Sequence, residues 1–467
     1  MTIYSPEAVL QCIKATNSRY HNRMTDSAED IGWTSIEDLF DRTFGSRPSA
    51  QHLAVIKQAE NERPEVKEFL ERTFRLMAIS RVMPADMTPA LAWILGVMIP
   101  RLLPGAWGNV VPPITYEDRH KVINAYLGAN PWGQFPEDTV LLEMGCGFPP
   151  QTALDAARAF PHWQVIGADL RFDPYVLYDA DGNYACMNSD GRLRYFHPGS
   201  VNRASAASLY EDTSSTFQRF HEMFTALRVK LPVSDHDACV SVEHEGARLV
   251  QHPIKTYERP NLKLIQAGLG AEMPQADIIR VFNVLFYFDA AFRSRAEEWA
   301  LRTLRPGGLF LCGADGTLTF EARYSVYRSE HGRLVPREFA FSLDNLRPPS
   351  VIPWFCLHSD EKETWALARL IGVLRSDERY RVDYDSRVDE LLAEHRICVR
   401  QADGFLGAPS DPVAPHEWLP AFISMQKKLE AEGFVDRAVS VLQRVGYNAW
   451  INPVGHVAVD PKGIASF

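Results

Sequence analysis

Apolar positions recur at helical spacing in residues 6–20, 35–44 and 65–79, which predicts a mainly helical region over residues 1–128. After the turn-rich Asn130-Pro131-Trp132-Gly133 the pattern changes to short apolar runs separated by helical segments, at 139–143, 164–169, 262–266, 277–282 and 309–313. Strands alternating with helices predict a parallel sheet covered on both faces. Residues 172–260, between the second and third runs, are far more than one crossover helix requires, so they form an insertion with structure of its own. Inside it, residues 175–195 alternate in polarity around Asp181-Gly182 and Asp190-Gly191, a strong hairpin signal, and a helix is predicted over 204–227. Helical spacing resumes at 362–374 and 418–445. A strand pair is expected over 447–459, turning at Asn452-Pro453 or Gly455.

The length of 467 residues suggests two or three folding units. Apolar residues at 46% and charged residues at 23% exclude a disordered or fibrous chain. A formal net charge of −10 argues against the broad cationic surface that nucleic acid demands. The seven cysteines (12, 146, 186, 239, 312, 356 and 398) are scattered singly with no C-x-x-C pair, which points to a reduced, cytoplasmic setting. The N-terminal residues carry no signal-peptide pattern. The longest uncharged apolar stretch, 87–100, is shorter than the roughly 20 residues of a membrane span, so no span is expected and a buried or interfacial helix is. Nothing in the pattern addresses oligomeric state.

Candidate chemistry centres on Leu141-Leu142-Glu143-Met144-Gly145-Cys146-Gly147-Phe148-Pro149, an apolar strand entering a glycine turn, followed by a helix from about Gln151. Two glycines let backbone approach a ligand, and a helix N-terminus offers free N–H groups to an anion. Pro150 stands where a dinucleotide-binding loop wants its third glycine, so pyrophosphate is disfavoured. Asp169 closes the next strand, where a carboxylate can accept hydrogen bonds from ribose hydroxyls. His236, Cys239, His244 and His252 cluster in the insertion but match no firm zinc spacing, and no metal is expected.

E-x-G-x-G-x-P at Glu143, Gly145, Gly147 and Pro149, the acid Asp169, and the Leu304-Arg305-Pro306-Gly307-Gly308-Leu309-Phe310 turn together resemble the class I S-adenosylmethionine-dependent methyltransferases. Asn283-Val284-Leu285-Phe286-Tyr287-Phe288-Asp289 is also similar to chemoreceptor glutamate methyltransferases of the CheR type, although Phe282 stands where those carry arginine. The resemblance implies an α/β fold. A doubly wound Rossmann-like methyltransferase core would span 129–357, with an inserted cap at 172–260, a helical N-terminal region at 1–128 and a mainly helical C-terminal extension at 358–467.

It further implies S-adenosylmethionine as cofactor, with Glu143 near the methionine ammonium, Gly145 and Gly147 along methionine and ribose, Asp169 on the ribose and adenine near Gly268 and Leu269. Cys146, Leu170 and Phe282 complete the expected cofactor-binding set. Asn283 and Tyr287 are the expected catalytic residues beside the sulfonium methyl. Tyr175, Tyr178 and His197 in the inserted hairpin, with Tyr184 and Tyr195 beside them, are able to stack on and hydrogen-bond a small planar acceptor. The function expected is methyl transfer to oxygen or nitrogen of a small molecule by in-line displacement. The rivals are a protein glutamate methyltransferase and a cofactor-binding scaffold without catalysis.

Overall fold

The computed structural model describes residues 35–44, 64–88, 115–199, 209, 212–232, 239–316, 322–347, 361–414 and 417–464. The helix expected over 6–20, most of the apolar stretch 87–100, and His236 lie outside these. The described helices used below are α1 (Ile36–Phe44), α2 (Pro64–Ile79), α3 (Lys121–Gly128), α4 (Gln151–Ala159), α5 (Thr213–Arg228), α6 (Ala290–Thr303), α7 (Lys362–Ser376), α8 (Glu378–Glu394), α9 (Trp418–Ala431) and α10 (Phe434–Arg444). The strands are β1 (Val140–Met144), β2 (Gln164–Asp169), β3 (Tyr175–Tyr178), β4 (Tyr184–Met187), β5 (Leu193–His197), β6 (Val240–His244), β7 (Ala247–Gln251), β8 (Leu262–Gln266), β9 (Ala276–Phe282), β10 (Leu304–Ala314), β11 (Arg323–Glu330), β12 (Arg333–Phe341), β13 (Ala449–Ile451) and β14 (Val457–Val459).

A nine-stranded sheet runs β13-β14-β12-β11-β10-β9-β1-β2-β8. Its β8-β2-β1-β9-β10 part is parallel throughout. Taken in chain order those five strands lie 3-2-1-4-5, so the winding reverses between β1 and β9. This arrangement fits a Rossmann-like fold. Successive residues point to opposite faces, and the sequence supplies apolar side chains to both. Leu141, Ile278 and Leu311 pack with Val122, Tyr126 and Ala153 of α3 and α4. Leu142, Ile279 and Phe310 pack with Phe292 and Trp299 of α6 on the other side. The remaining strands, β11 to β14, extend the sheet in antiparallel fashion.

Phe40 and Phe74 of α1 and α2 share one core with Leu367, Leu370, Tyr384 and Leu442 of the C-terminal helices, so the two flanking helical regions pack together. The expected strand pair near the C-terminus forms as β13 and β14 and joins the central sheet. The β11–β12 hairpin and α8 were not foreseen. The hairpin turns at His331-Gly332, both at positive φ, the geometry of a tight two-residue loop without its usual Asn-Gly or Asp-Gly signature.

The insertion folds as an antiparallel five-stranded sheet, β5-β4-β3-β7-β6, with both Asp-Gly turns in place. Its two faces differ. Leu177, Ala185 and Phe196 pack under α5, where Phe196 stacks on Phe220 at 6.0 Å. The opposite face carries Tyr178, Tyr184 and His197 at paired positions, with Cys186 opposite Tyr195. No described helix is long and apolar enough to cross a membrane.

Candidate active site

The reversal between β1 and β9 places Gly145 and Asn283, each following its strand, at the carboxyl-end crevice where open α/β sheets hold ligands. Gly145 (φ 72°) and Gly147 (φ 71°) adopt the left-handed conformation that L side chains avoid. A Cβ at Gly145 would lie 2.4 Å from Val284 Cγ2, so the turn is seated directly against the residue after Asn283. The amides of Gly145 and Cys146 both donate to the Ala168 carbonyl, at 2.7 and 3.1 Å. The Gly147 amide donates to Asp169 Oδ2 at 3.0 Å. The turn is thus strapped to the end of β2, and Cys146 is wholly buried in the core beneath it.

Asp169 is 9% exposed, and burial pushes its carboxyl up to about 6, against the lowering effect of the Gly147 N–H. Its backbone carbonyl accepts from the Ala267 amide at 2.8 Å, which brings the Gly268-Leu269 loop beside it. Leu269 packs into the α6-side core and Leu170 packs against it. The cofactor-binding residues expected around this turn therefore do meet.

Glu143 is engaged by protein partners on both oxygens. The resemblance put it at the methionine ammonium, yet its side chain is 1% exposed and both oxygens are engaged. Oε1 lies 3.1 Å from His120 Nδ1, and Oε2 accepts from Arg280 Nε. Arg280 reaches on to Asn124 Oδ1 at 2.5 Å and the Thr152 carbonyl at 3.3 Å. Burial alone would raise the Glu143 carboxyl, but the Arg280 guanidinium and His120 outweigh it and hold it down at about 2. A carboxylate so enclosed locks β1, β9 and α3 together.

Phe282 turns its ring toward His120 at 5.3 Å and Tyr324 at 6.1 Å, on the α3 side of the sheet. Asn283 is left-handed (φ 58°), donates its amide to the Gly313 carbonyl at 2.9 Å, and offers its side-chain NH2 to Asp315 Oδ1 at 3.1 Å. Tyr287 lies against Phe286, with centroids 4.3 Å apart, and burial pushes its hydroxyl up to about 12.

In the cap, Tyr184 and Tyr195 hydroxyls donate to the Phe148 carbonyl at 3.4 and 3.2 Å, so this face sits on the glycine turn. Tyr178 and His197 share that face. The Tyr178 hydroxyl lies 3.2 Å from that of Tyr257. Burial, offset in part by the Pro198 carbonyl and aided by the nearby Arg119, pulls His197 down to about 3, so it stands neutral. Tyr175 does not share that face. Three residues from Tyr178 on an extended strand, it points the other way and packs on Phe224 (5.4 Å) and Arg228 (5.5 Å) of α5.

Sequence reasoning missed the segment before α3. The Tyr116 ring lies parallel to His197 at 6.5 Å and its hydroxyl donates to the Gly316 carbonyl, joining the cap to the end of β10. Arg119 spreads over the Tyr116 ring at 5.1 Å and donates to the Asp315 carbonyl at 3.5 Å. The one available signal was Arg280, a charge in the otherwise apolar run 278–282, which needed a buried partner. Among the described residues no group of three or more His, Cys, Asp or Glu could hold a metal.

No protein-family model matches the chain, and no curated protein matches it. Solved structures with which it shares a likeness include methyltransferases. One is a precorrin-6y C5,15-methyltransferase from Geobacter metallireducens, at 9% identity and TM-score 0.19, over 42% of this chain and 60% of that one. Another is CalO1, a methyltransferase in calicheamicin biosynthesis in its SAH-bound form, at 13% identity and TM-score 0.22, over 59% of this chain and 52% of that one. A third is coclaurine N-methyltransferase bound to N-methylheliamine and SAH, at 9% identity and TM-score 0.20, over 98% and 94%. The chain spans little more than half the length of the first two.

Proposed function

We propose that this chain binds S-adenosylmethionine at the Gly145–Gly147 turn and transfers its methyl to oxygen or nitrogen of a small acceptor. One observation carries the reading: Asp169, a desolvated carboxylate closing β2, is tied to the glycine turn by the Gly147 N–H at 3.0 Å, at the place where the sheet reverses. A nucleoside suits it. Ribose hydroxyls would add charge-assisted donors to those the Gly147 and Arg171 amides already give this buried carboxylate. Gly145, Gly147, Leu170, Gly268 and Leu269 would line the nucleoside half, with Asn283 and Tyr287 on the far wall. The enclosed Glu143 does not suit the ammonium, so in this reading it fixes the frame and touches no ligand.

When bound, the cofactor supplies an electrophilic methyl, and the chain's own groups position what receives it. The acceptor side is the cap face bearing Tyr178, Tyr184, Tyr195 and His197, which lies over the turn and leaves Tyr175 outside. A cap resting on the Phe148 carbonyl favours a small enclosed acceptor over a folded protein. Calorimetric titration with S-adenosylhomocysteine (SAH), followed by tritium transfer from labelled S-adenosylmethionine into a cell extract, tests this reading. Binding and a labelled low-mass product support it. Label in protein favours the glutamate methyltransferase instead, and binding without label favours the scaffold.

A further inference from the structure

His120 sits between two carboxylates, Glu143 on β1 and Asp315 just beyond β10. Of its two ring nitrogens, Nδ1 has hydrogen-bond geometry to its carboxylate, Glu143 Oε1 at 3.1 Å, which places the proton of a neutral His120 there. That leaves a lone pair on Nε2. Nε2 lies 3.2 Å from Asp315 Oδ1 without hydrogen-bond geometry to it or to any other described residue. Asp315 Oδ2, fully buried, has no hydrogen-bond partner among the described residues either. A buried polar atom without a partner calls for an explanation, and two at one spot fit a polar occupant. The spot adjoins Asn283, whose side-chain amide holds Asp315 Oδ1, at the carboxyl end of β9.

We propose that His120 Nε2 is the base that takes the acceptor's proton, with Glu143 fixing its tautomer and Asp315 sharing the captured proton. This rests on the methyltransferase reading and deepens it, because it names the acceptor class. In the transfer, the acceptor's lone pair forms the bond to the methyl carbon, the carbon–sulfur pair returns to sulfur, and the O–H or N–H proton passes to Nε2. A carboxylate nucleophile has no proton to lose and would need no such base. The acceptor is therefore a protic hydroxyl or amine, and its product an ether or amine.

The groups facing His120 set the pH behaviour. Burial works to lower its pKa, but Asp315 and Glu143 outweigh it and the net direction is upward from 6.5. Arg280 acts through Glu143, Arg119 lies 3.9 Å from Asp315 Oδ1, and Phe282 supplies the apolar wall. Activity carried by the neutral imidazole should rise with pH through that elevated pKa.

The first test needs no acceptor. In the full chain labelled with 13C-histidine, the His120 resonance, assigned by its loss in His120→Gln, should titrate above 6.5, and Asp315→Asn should move it down. SAH affinity should stay within about twofold in Asp315→Asn, well short of the tenfold that marks a lost contact. In extract assays with tritiated S-adenosylmethionine, His120→Gln should lower low-mass labelling by about a hundredfold or more, the usual effect of losing a general base. The label should survive alkali, as ethers and amines do.

Alkali-volatile label would mean a methyl ester and would overturn the proposal. So would a His120 titration unmoved by Asp315→Asn, or a tenfold loss of SAH affinity in that variant, which would make Asp315 a cofactor ligand. Absence of SAH binding by the unaltered chain would bring down the underlying reading, separately from the histidine result.

Discussion

Gly145→Ala is the perturbation whose magnitude the structure defines best. The new Cβ would fall 2.4 Å from Val284 Cγ2, 3.7 Å from its Cβ and 4.0 Å from Cγ1, so one methyl takes the whole collision. Overpacking of this kind costs about 1–3 kcal/mol. Holding an L side chain at φ 72° adds about 1–2 kcal/mol, and reduced freedom of the unfolded chain returns about 0.4–1 kcal/mol. The net expectation is a loss of about 1–5 kcal/mol in urea or guanidinium unfolding, from the sum of those terms. Val284→Ala removes the colliding methyls but not the backbone penalty. In the double variant about 1–3 kcal/mol should therefore be recovered as coupling, leaving the conformational part. Coupling below about 0.5 kcal/mol would refute the reasoning, since distant independent sites add to within that margin. SAH affinity should fall in Gly145→Ala and partly return in the double variant.

Glu143→Gln strands the buried Arg280 and should cost about 3–5 kcal/mol at neutral pH by denaturant unfolding. Because the folded carboxyl sits at about 2, below its ordinary 4.5, its stabilisation is present above pH 4.5 and lost as pH falls toward 2. Asp169 has the opposite sign. Its folded carboxyl lies at about 6 against an ordinary 3.8, so the folded state holds the extra proton and stability falls as pH rises between those values. Asp169→Asn should accordingly be more stable than the unaltered chain at pH 7 and less different at pH 4, read by unfolding midpoints, while binding SAH more weakly. Tyr184→Phe and Tyr195→Phe each remove a donor to the Phe148 carbonyl and should cost about 0.5–1.5 kcal/mol apiece. Limited proteolysis should show faster cutting within the cap of the double variant, and unchanged rates would mean the tie is not made.

The parallel core was legible because its signals were local. Residues 164–169 and 262–266 were read to the residue as β2 and β8, since each apolar run is bounded by polar or turn-forming neighbours. The glycine turn and Asp169 were readable because only a positive φ explains Gly145 and Gly147 in that setting. What escaped depended on tertiary partners. Nothing local to Glu143 announces Arg280 and His120, which come from β9 and the start of α3. Asp315 was visible only as the residue after a strand. The separation of Tyr175 from Tyr178 was available in principle, because an odd offset on a strand reverses the face. The β11–β12 hairpin was hidden by its His-Gly turn, and α8 by a narrow apolar stripe, Tyr380, Tyr384, Val388, Leu391 and Leu392, on an otherwise charged helix.

The central claim is that Asp169 and the glycine turn hold the nucleoside of S-adenosylmethionine. Isothermal titration of SAH into the unaltered chain and into Asp169→Ala, with NADH as control, tests it directly. Each charge-assisted hydrogen bond lost is worth about 1.5–3 kcal/mol, so the variant should bind at least about tenfold more weakly, while NADH binds neither. Equal SAH affinity in a folded Asp169→Ala chain, or tight NADH binding, would contradict the account.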